Sequence, residues 1–244
     1  MVFDSEKVRR LSDRERSIEY FDEIGSTNTE LVCRTKCGEA RCGDVVAAGR
    51  QSAGRGRRGR DFFSPDGGIY FSFTANNKDG TAPTLICGAA VANVLSRLGY
   101  EPEIKWVNDV LIGGKKVCGI LAEAVTGTPL CVIGVGINVT SGAIPKELSD
   151  IASSLEDTAP CTASREEMIG SILAEYERLE ALPQDEIIKI YKQYLRLLSR
   201  EIVIKETGER CRALDLTLAG ELRVRTESGE IRDLVSGEIS IIKC

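Results

Sequence analysis

GRQSAGRGRRGR, running from Gly49 to Arg60, is the stretch on which the reading of the fold turns. Gly54, Gly56 and Gly59 match the G-x-G-x-x-G pattern of a dinucleotide-binding turn. Such a turn follows a strand and opens a helix. DVVAAG (Asp44–Gly49) supplies a short strand, but Asp61–Gly67 leads on to GIYFSFTA (Gly68–Ala75), whose alternation is that of another strand. The loop therefore joins two strands and is not a Rossmann turn. It also carries five arginines, Arg50, Arg55, Arg57, Arg58 and Arg60, where a pyrophosphate turn prefers small residues. Flexible backbone N–H groups and guanidinium forks suit phosphate and carboxylate groups. The alternatives for this segment alone are a solvated basic loop or an arginine–glycine contact to RNA.

Upstream, residues 1–24 are charged, with a few strand-like residues near Ile18–Phe21. A helix is predicted to start at Ser26 and Thr27, with Thr27 and Glu30 at capping-box spacing. Downstream, Pro83 opens a helix that puts Leu85, Ile86, Ala89, Ala90, Val94 and Leu98 on one face and ends at Gly99. Glu103–Trp106 reads as a strand. Val110–Ile112, the turn Gly113-Gly114 and Lys115–Val125 read as a hairpin. Leu130–Val139 is an apolar strand carrying Gly134 and Gly136, residues 140–163 are loop-like, and Arg165–Leu182 and Gln184–Ser199 are helices parted by Pro183. After Arg200 the texture changes to about five short strands with Gly-containing turns, a pattern expected of a small β-barrel of about 45 residues.

The chain has 244 residues, 42% hydrophobic and 28% charged, with a net charge of −5. That balance fits a globular protein and excludes a disordered chain, a collagen or a coiled coil. The longest apolar stretch, Leu85–Leu95, is well short of the roughly 20 residues of a membrane span. No secretory signal is visible, so a cytoplasmic location is expected. An acidic chain must confine any anion affinity to a local site. There is no histidine, which excludes Ser-His and Cys-His nucleophile pairs and histidine-bound zinc. Nine cysteines (33, 37, 42, 87, 118, 131, 161, 211 and 244) are an odd number and are expected as reduced thiols. Cys33, Cys37 and Cys42 lack the paired spacing of a metal site.

Three further segments carry chemistry. KWVND (Lys105–Asp109) ends a strand with Asn108 and Asp109, and the following hairpin returns Lys115 and Lys116 to the same end of the sheet. Alternation puts those two lysines on opposite faces, so one of them can enter a common pocket. IGVGIN (Ile133–Asn138) sets glycines into a strand, which marks either a ligand or close packing. GSTN (Gly25–Asn28) places small polar groups at a helix start, as an anion site or an ordinary cap.

In order, GSTN (25–28), GRGRRGR (54–60), KWVND (105–109), KKVCGIL (115–121), GVGIN (134–138) and SGEIS (236–240) closely resemble the biotin protein ligase family, over roughly residues 20–244. The resemblance implies an α+β fold: a catalytic domain over 1–199 related to class II aminoacyl-tRNA synthetases, and a small SH3-like domain over 200–244. It implies that biotin and MgATP give biotinyl-5′-AMP and pyrophosphate, and that biotin then passes to one lysine of a biotin carboxyl carrier domain. It further implies that Ser26, Thr27, Asn28 and Gln51 line the biotin site, that Gly119, Gly134 and Gly136 keep its walls low, and that Arg55 and Arg57 with the Gly56 backbone hold biotin's carboxylate and the adenylate phosphate. Lys116 is placed at the reacting carboxylate and α-phosphate, and Arg60, Phe62, Lys105, Asn108 and Asn138 at ATP. Asp109 is left to orient the acceptor lysine, take its proton or help hold Mg²⁺; no other protein ligand to the metal is expected. Val107 stands where the family usually has proline. About 24 residues precede the Ser-Thr-Asn motif, too few for a winged helix-turn-helix, so no DNA partner is expected, nor a membrane; a homodimer is left open. The competing readings are a lipoate ligase or octanoyltransferase, against which the complete arginine–glycine loop speaks, and an acidic protein with a local RNA contact.

Overall fold

The structure, a computed structural model, describes residues 3–12, 14–77, 82–235 and 237–241. Ser236 of the SGEIS segment and Cys244 lie outside them. Seven strands form the larger sheet: β1 (Ile18–Ile24), β2 (Val45–Gln51), β3 (Ile69–Asn76), β4 (Pro102–Lys105), β5 (Asp109–Ile112), β6 (Lys115–Ala124) and β7 (Leu130–Ile137). Their order is β1-β2-β3-β7-β6-β5-β4. β1 and β2 are parallel, which requires a crossover, and α2 (Thr27–Lys36) provides it. The other neighbours in this sheet are antiparallel.

Period-two alternation divides the central strands. Val45 and Ala47 of β2, Phe71 and Phe73 of β3, and Ile133 and Val135 of β7 join the main core. Above them lies α3 (Ala82–Arg97), packed against α4 (Arg165–Glu180) and α5 (Gln184–Gln193). Leu85, Ile86, Ala89, Ala90 and Val94 are buried as the helical spacing predicts. The opposite face carries α2, whose Leu31 packs with Val46, Val125 and Val132 in a second, small cluster.

Several boundaries differ from the sequence reading. The α2 cap is Ser26, whose side chain accepts from Thr29 N, while Glu30 pairs with Arg34; the Thr27–Glu30 capping box does not form. The last predicted helix stops at Gln193, and the backbone of Tyr194 bonds instead to Ile104, extending contact with β4. A short N-terminal helix, α1 (Ser5–Arg9), capped by Asp4 and packed on α4, was not legible in so charged a segment. The eight described cysteines are free thiols; Cys87, Cys118, Cys131 and Cys211 are buried.

The second sheet contains β8 (Glu201–Ile204), β9 (Arg210–Leu216), β10 (Leu222–Thr226), β11 (Ile231–Leu234) and β12 (Ile239–Ile241), antiparallel in the order β11-β10-β9-β8-β12. Its inward residues, among them Ile202, Cys211, Ala213, Leu222 and Val224, are continuous with the main core. Trp106 bridges the two sheets, burying its ring and donating from Nε1 to Gly220 O at 3.0 Å. Among the described residues no helix is long and apolar enough to cross a membrane.

Ile133 is fully buried between β3 and β6. Ile133→Ala is expected to lower unfolding free energy by about 2–5 kcal/mol in urea denaturation; a loss below about 1 kcal/mol would show that the core extends elsewhere.

Candidate active site

The site grows out of the face of the sheet that the main core leaves free. Ser72 of β3 pairs with Gly134 of β7, Gly136 pairs with Gly119 of β6, and Gly134 pairs with Leu121. Three adjacent strands thus present small residues side by side, each flanked in sequence by core hydrophobes. Side chains would close this space. A Cβ on Gly134 would stand 2.7 Å from Asn28 Oδ1, and one on Gly136 would stand 2.4 Å from the Phe62 ring. The glycine floor therefore accommodates two side chains of the protein: Asn28 over Gly134, and Phe62 over Gly119 and Gly136. This refines the expectation that those glycines simply keep the walls low.

The start of α2 forms one wall. Thr27 N donates to Gln51 Oε1 at 2.9 Å, and the Thr27 and Ser72 hydroxyls lie 2.8 Å apart. Gln51 Nε2 donates to Ser64 Oγ at 2.9 Å, which donates to Phe62 O at 2.8 Å. A continuous polar chain so links the helix cap to the end of the arginine loop. Its partners fix which end of the Gln51 amide faces α2.

Each arginine of the loop meets an acceptor. Arg50 pairs with Glu23, Arg55 with Glu123 at 2.9 Å, Arg58 with Glu206 and Arg60 with Glu238. Arg57 donates to Asn108 Oδ1 at 3.0 Å. The mutual repulsion of these cations is thus offset by the protein's own carboxylates, two of them beside the smaller sheet: Glu206 in the turn after β8 and Glu238 just before β12. Lys116 Nζ pairs with Asp109 at 2.7 Å and lies 5.5 Å from the centroid of the Phe62 ring. Lys115 points away and is exposed, as alternation requires.

Two adjoining cavities result, of 50 Å³ and 110 Å³. They share Gly56, Arg57, Phe62, Asn108 and Lys116. The first is narrowed by the Phe62 ring, which lies over Gly119 and Gly136. Burial lowers the Arg57 and Lys105 pKa values from their ordinary range; Arg58 acts the same way on Arg57, whereas Asp109 opposes the shift at both.

The chain matches the biotin/lipoate A/B protein ligase family over residues 20–139. It is 31% identical to the bifunctional ligase/repressor BirA of Salmonella typhimurium, in a match covering 89% of this chain and 72% of that protein. The chain belongs to the biotin/lipoate A/B protein ligase family. It is 34% identical to the biotin–[acetyl-CoA-carboxylase] ligase of Mycobacterium tuberculosis, over 66% of this chain and 63% of that one. A structure of the biotin protein ligase from Aquifex aeolicus in complex with biotin and ATP matches with a TM-score of 0.80 at 28% identity, covering 93% of this chain and 99% of that chain.

Within this ligase-family fold the sequence-predicted residues converge. Ser26, Thr27, Asn28, Gln51, Arg55, Gly56, Arg57, Lys116, Gly119, Gly134 and Gly136 all line the first cavity. Arg57, Arg60, Phe62, Lys105, Asn108, Asp109 and Lys116 line the second. Asn138 lines neither: it is buried, and its Nδ2 donates to Lys116 O at 3.5 Å and Ser153 O at 3.2 Å, holding the backbone that carries Lys116. Val107 is buried, and its carbonyl accepts from Tyr191 at 3.0 Å, so α5 braces the turn before Asn108. Sequence reasoning missed Ser72, Ser64 and Glu123, and marked Gly237 and Glu238 only as part of the SGEIS segment, without a site role. Ser72 was within reach, being a polar residue on the glycine-bearing face of an alternating strand. The others depend on contacts across long sequence separations.

Arg60, then Lys205, holds the Glu238 carboxyl at about 2, well below its ordinary 4.5. A depressed carboxylate pKa favours the docked loop above the ordinary value and ceases to do so as pH falls towards about 2. The expected outcome is that carboxyl NMR places the Glu238 titration near 2, with loop amides losing exchange protection over the same range. Titration near 4.5 would mean that the Arg60–Glu238 contact is absent in solution.

Proposed function

We infer that this chain is a biotin protein ligase that joins biotin to ATP as biotinyl-5′-AMP and then passes biotin to a lysine of a carboxylase's biotin carboxyl carrier domain. The observation that carries this reading is the sharing of Lys116 and Arg57 by a glycine-floored cavity and a cation-lined one. The first cavity takes the bicyclic ring of biotin and the second the nucleotide, and the reacting carboxylate and α-phosphate meet where the two join. A carboxylate oxygen attacks the α-phosphorus and the bond to pyrophosphate breaks. The acceptor amine then attacks the acyl carbon, AMP departs, and the amine loses a proton.

Both reactants of the first step are anions, so the task is to neutralise charge and align the attack. Fixed cations do this without histidine. Lys116 and Arg57 face the reacting groups. Asp109 holds Lys116 by the 2.7 Å ion pair, and Asn108 Nδ2 donates to Asp109 at 3.1 Å, so Asp109 serves first as the orienter of Lys116. Mg²⁺ arrives with the nucleotide and supplies further charge neutralisation at its phosphates. The donor set suits that: Asp109 and Glu238 are already paired with cations, leaving Asp61 as the unpaired carboxylate of the second cavity among the described residues.

The larger unit, residues 1–199, is read as the class II synthetase-like catalytic domain and 200–244 as an SH3-like domain. Gly237 and Glu238 supply part of the second cavity and none of the first. That supports a role for the smaller domain in closing over ATP and presenting the carrier.

Lys116→Ala is expected to lower biotin-dependent ATP–pyrophosphate exchange by about 10²–10³ with an unchanged melting temperature; near-normal exchange in the folded variant would remove Lys116 from the mechanism. Glu238→Ala is expected to raise KM for ATP by about two- to fivefold, the scale of an exposed ion pair, while KM for biotin holds. Equal shifts in both constants would argue against the division of labour between the cavities.

A further inference from the structure

Glu123 is used by none of the steps above. It lies on β6 opposite Val132, on the same face as Gly119 and Leu121. Its carboxylate accepts from both terminal nitrogens of Arg55, at 3.1 and 2.9 Å, and from Asn28 Nδ2. A carboxylate can only accept hydrogen bonds, so turning the Asn28 amide over would set oxygen against oxygen. Glu123 therefore decides which way that amide faces, and Arg55 offsets the charge that does so.

The consequence falls inside the first cavity. With Nδ2 taken by Glu123, Asn28 Oδ1 is turned onto Gly134, where the missing Cβ leaves it room. Asn28 is 4% exposed, and among the described residues its Oδ1 has no hydrogen-bond donor. Buried polar atoms are nearly always paired in folded proteins. This one is an acceptor on a residue that lines the first cavity, and what it lacks is an N–H.

We propose that Glu123 is a positioning residue for substrate specificity: through Asn28 it presents an oriented acceptor to a ureido N–H of biotin. This rests on the reading of the first cavity as the biotin site. A ring with no N–H, such as a dithiolane, would leave the acceptor buried and unpaired, so the same device discriminates against lipoyl-type substrates. A site built to receive a hydrogen bond rejects an analogue that cannot give one far more strongly than an apolar slot rejects a change of size.

The test uses ATP–pyrophosphate exchange by the full chain with biotin and with its two cyclic carbamate analogues, in which one or the other ureido N–H is replaced by oxygen. The expected result is that the unaltered protein prefers biotin over one of the two by at least about 100-fold in kcat/KM. Glu123→Ala frees the Asn28 amide to turn and should cut that preference at least tenfold, while KM for ATP and the melting temperature hold. Asn28→Ala removes the acceptor and should have the same effect on the ratio by an independent route. The proposal is overturned if both carbamates serve as well as biotin, or if either folded variant keeps the full preference. Absence of any biotin-dependent exchange in the unaltered protein would instead overturn the reading of the cavity on which the proposal rests.

Discussion

The strict alternation of side chains across β3, β7 and β6 is the constraint on which the rest of the structure depends. A strand places successive residues on opposite faces, so a strand that serves both a core and a site must alternate two kinds of residue. Ile133, Val135 and Ile137 fill the core beneath α3 and α4, while Gly134 and Gly136 leave space on the other side. A register slip of one residue would bury the glycines and push isoleucine into the cavity. The stability of the sheet and the shape of the site are therefore specified by the same pairing.

Charge is organised by a second principle. The arginine loop would repel itself if left alone, yet each of its arginines meets an acceptor, from Glu23 on β1 to Glu238 just before β12. Exposed ion pairs of this kind contribute little individually, about 0–1 kcal/mol. Their weakness is useful. Guanidinium groups held by weak contacts are pre-placed near the cavities, and an incoming phosphate or carboxylate can replace a carboxylate of the protein without a large penalty.

Much of this was legible from sequence where the signal is local. The Gly-Arg loop announced itself by composition, and its refusal to lead into a helix separated it from a dinucleotide turn. The burial of Leu85, Ile86 and Ala89 followed from helical spacing, and the five late strands from their glycine turns. What local pattern could not supply was pairing between distant parts. Glu123 reads as one more charged residue on a half-exposed strand until the fold brings Arg55 and Asn28 to it. Asn138 was placed at the nucleotide by resemblance, whereas its amide holds Lys116 O and Ser153 O. Helix ends also depended on context: the predicted continuation to Ser199 yields at Gln193 because the Tyr194 carbonyl finds Ile104 N.

The polar chain from Thr27 through Gln51 and Ser64 to Phe62 O gives the two cavities a mechanical connection. Phe62 lines both cavities and covers Gly119 and Gly136, so a ligand that claims the glycine floor must move its ring. The ring cannot travel far without its backbone, and that backbone is bonded to Ser64, whose other partner is Gln51. Gln51 in turn accepts from the Thr27 N–H at the head of α2, on the part of the first cavity that the second does not share. The three links are direct hydrogen bonds of 2.8–2.9 Å, the ordinary length of well-formed bonds of these kinds. The wall of the first cavity, the end of the arginine loop and the residue shared with the second cavity are therefore joined by contacts already present in the fold.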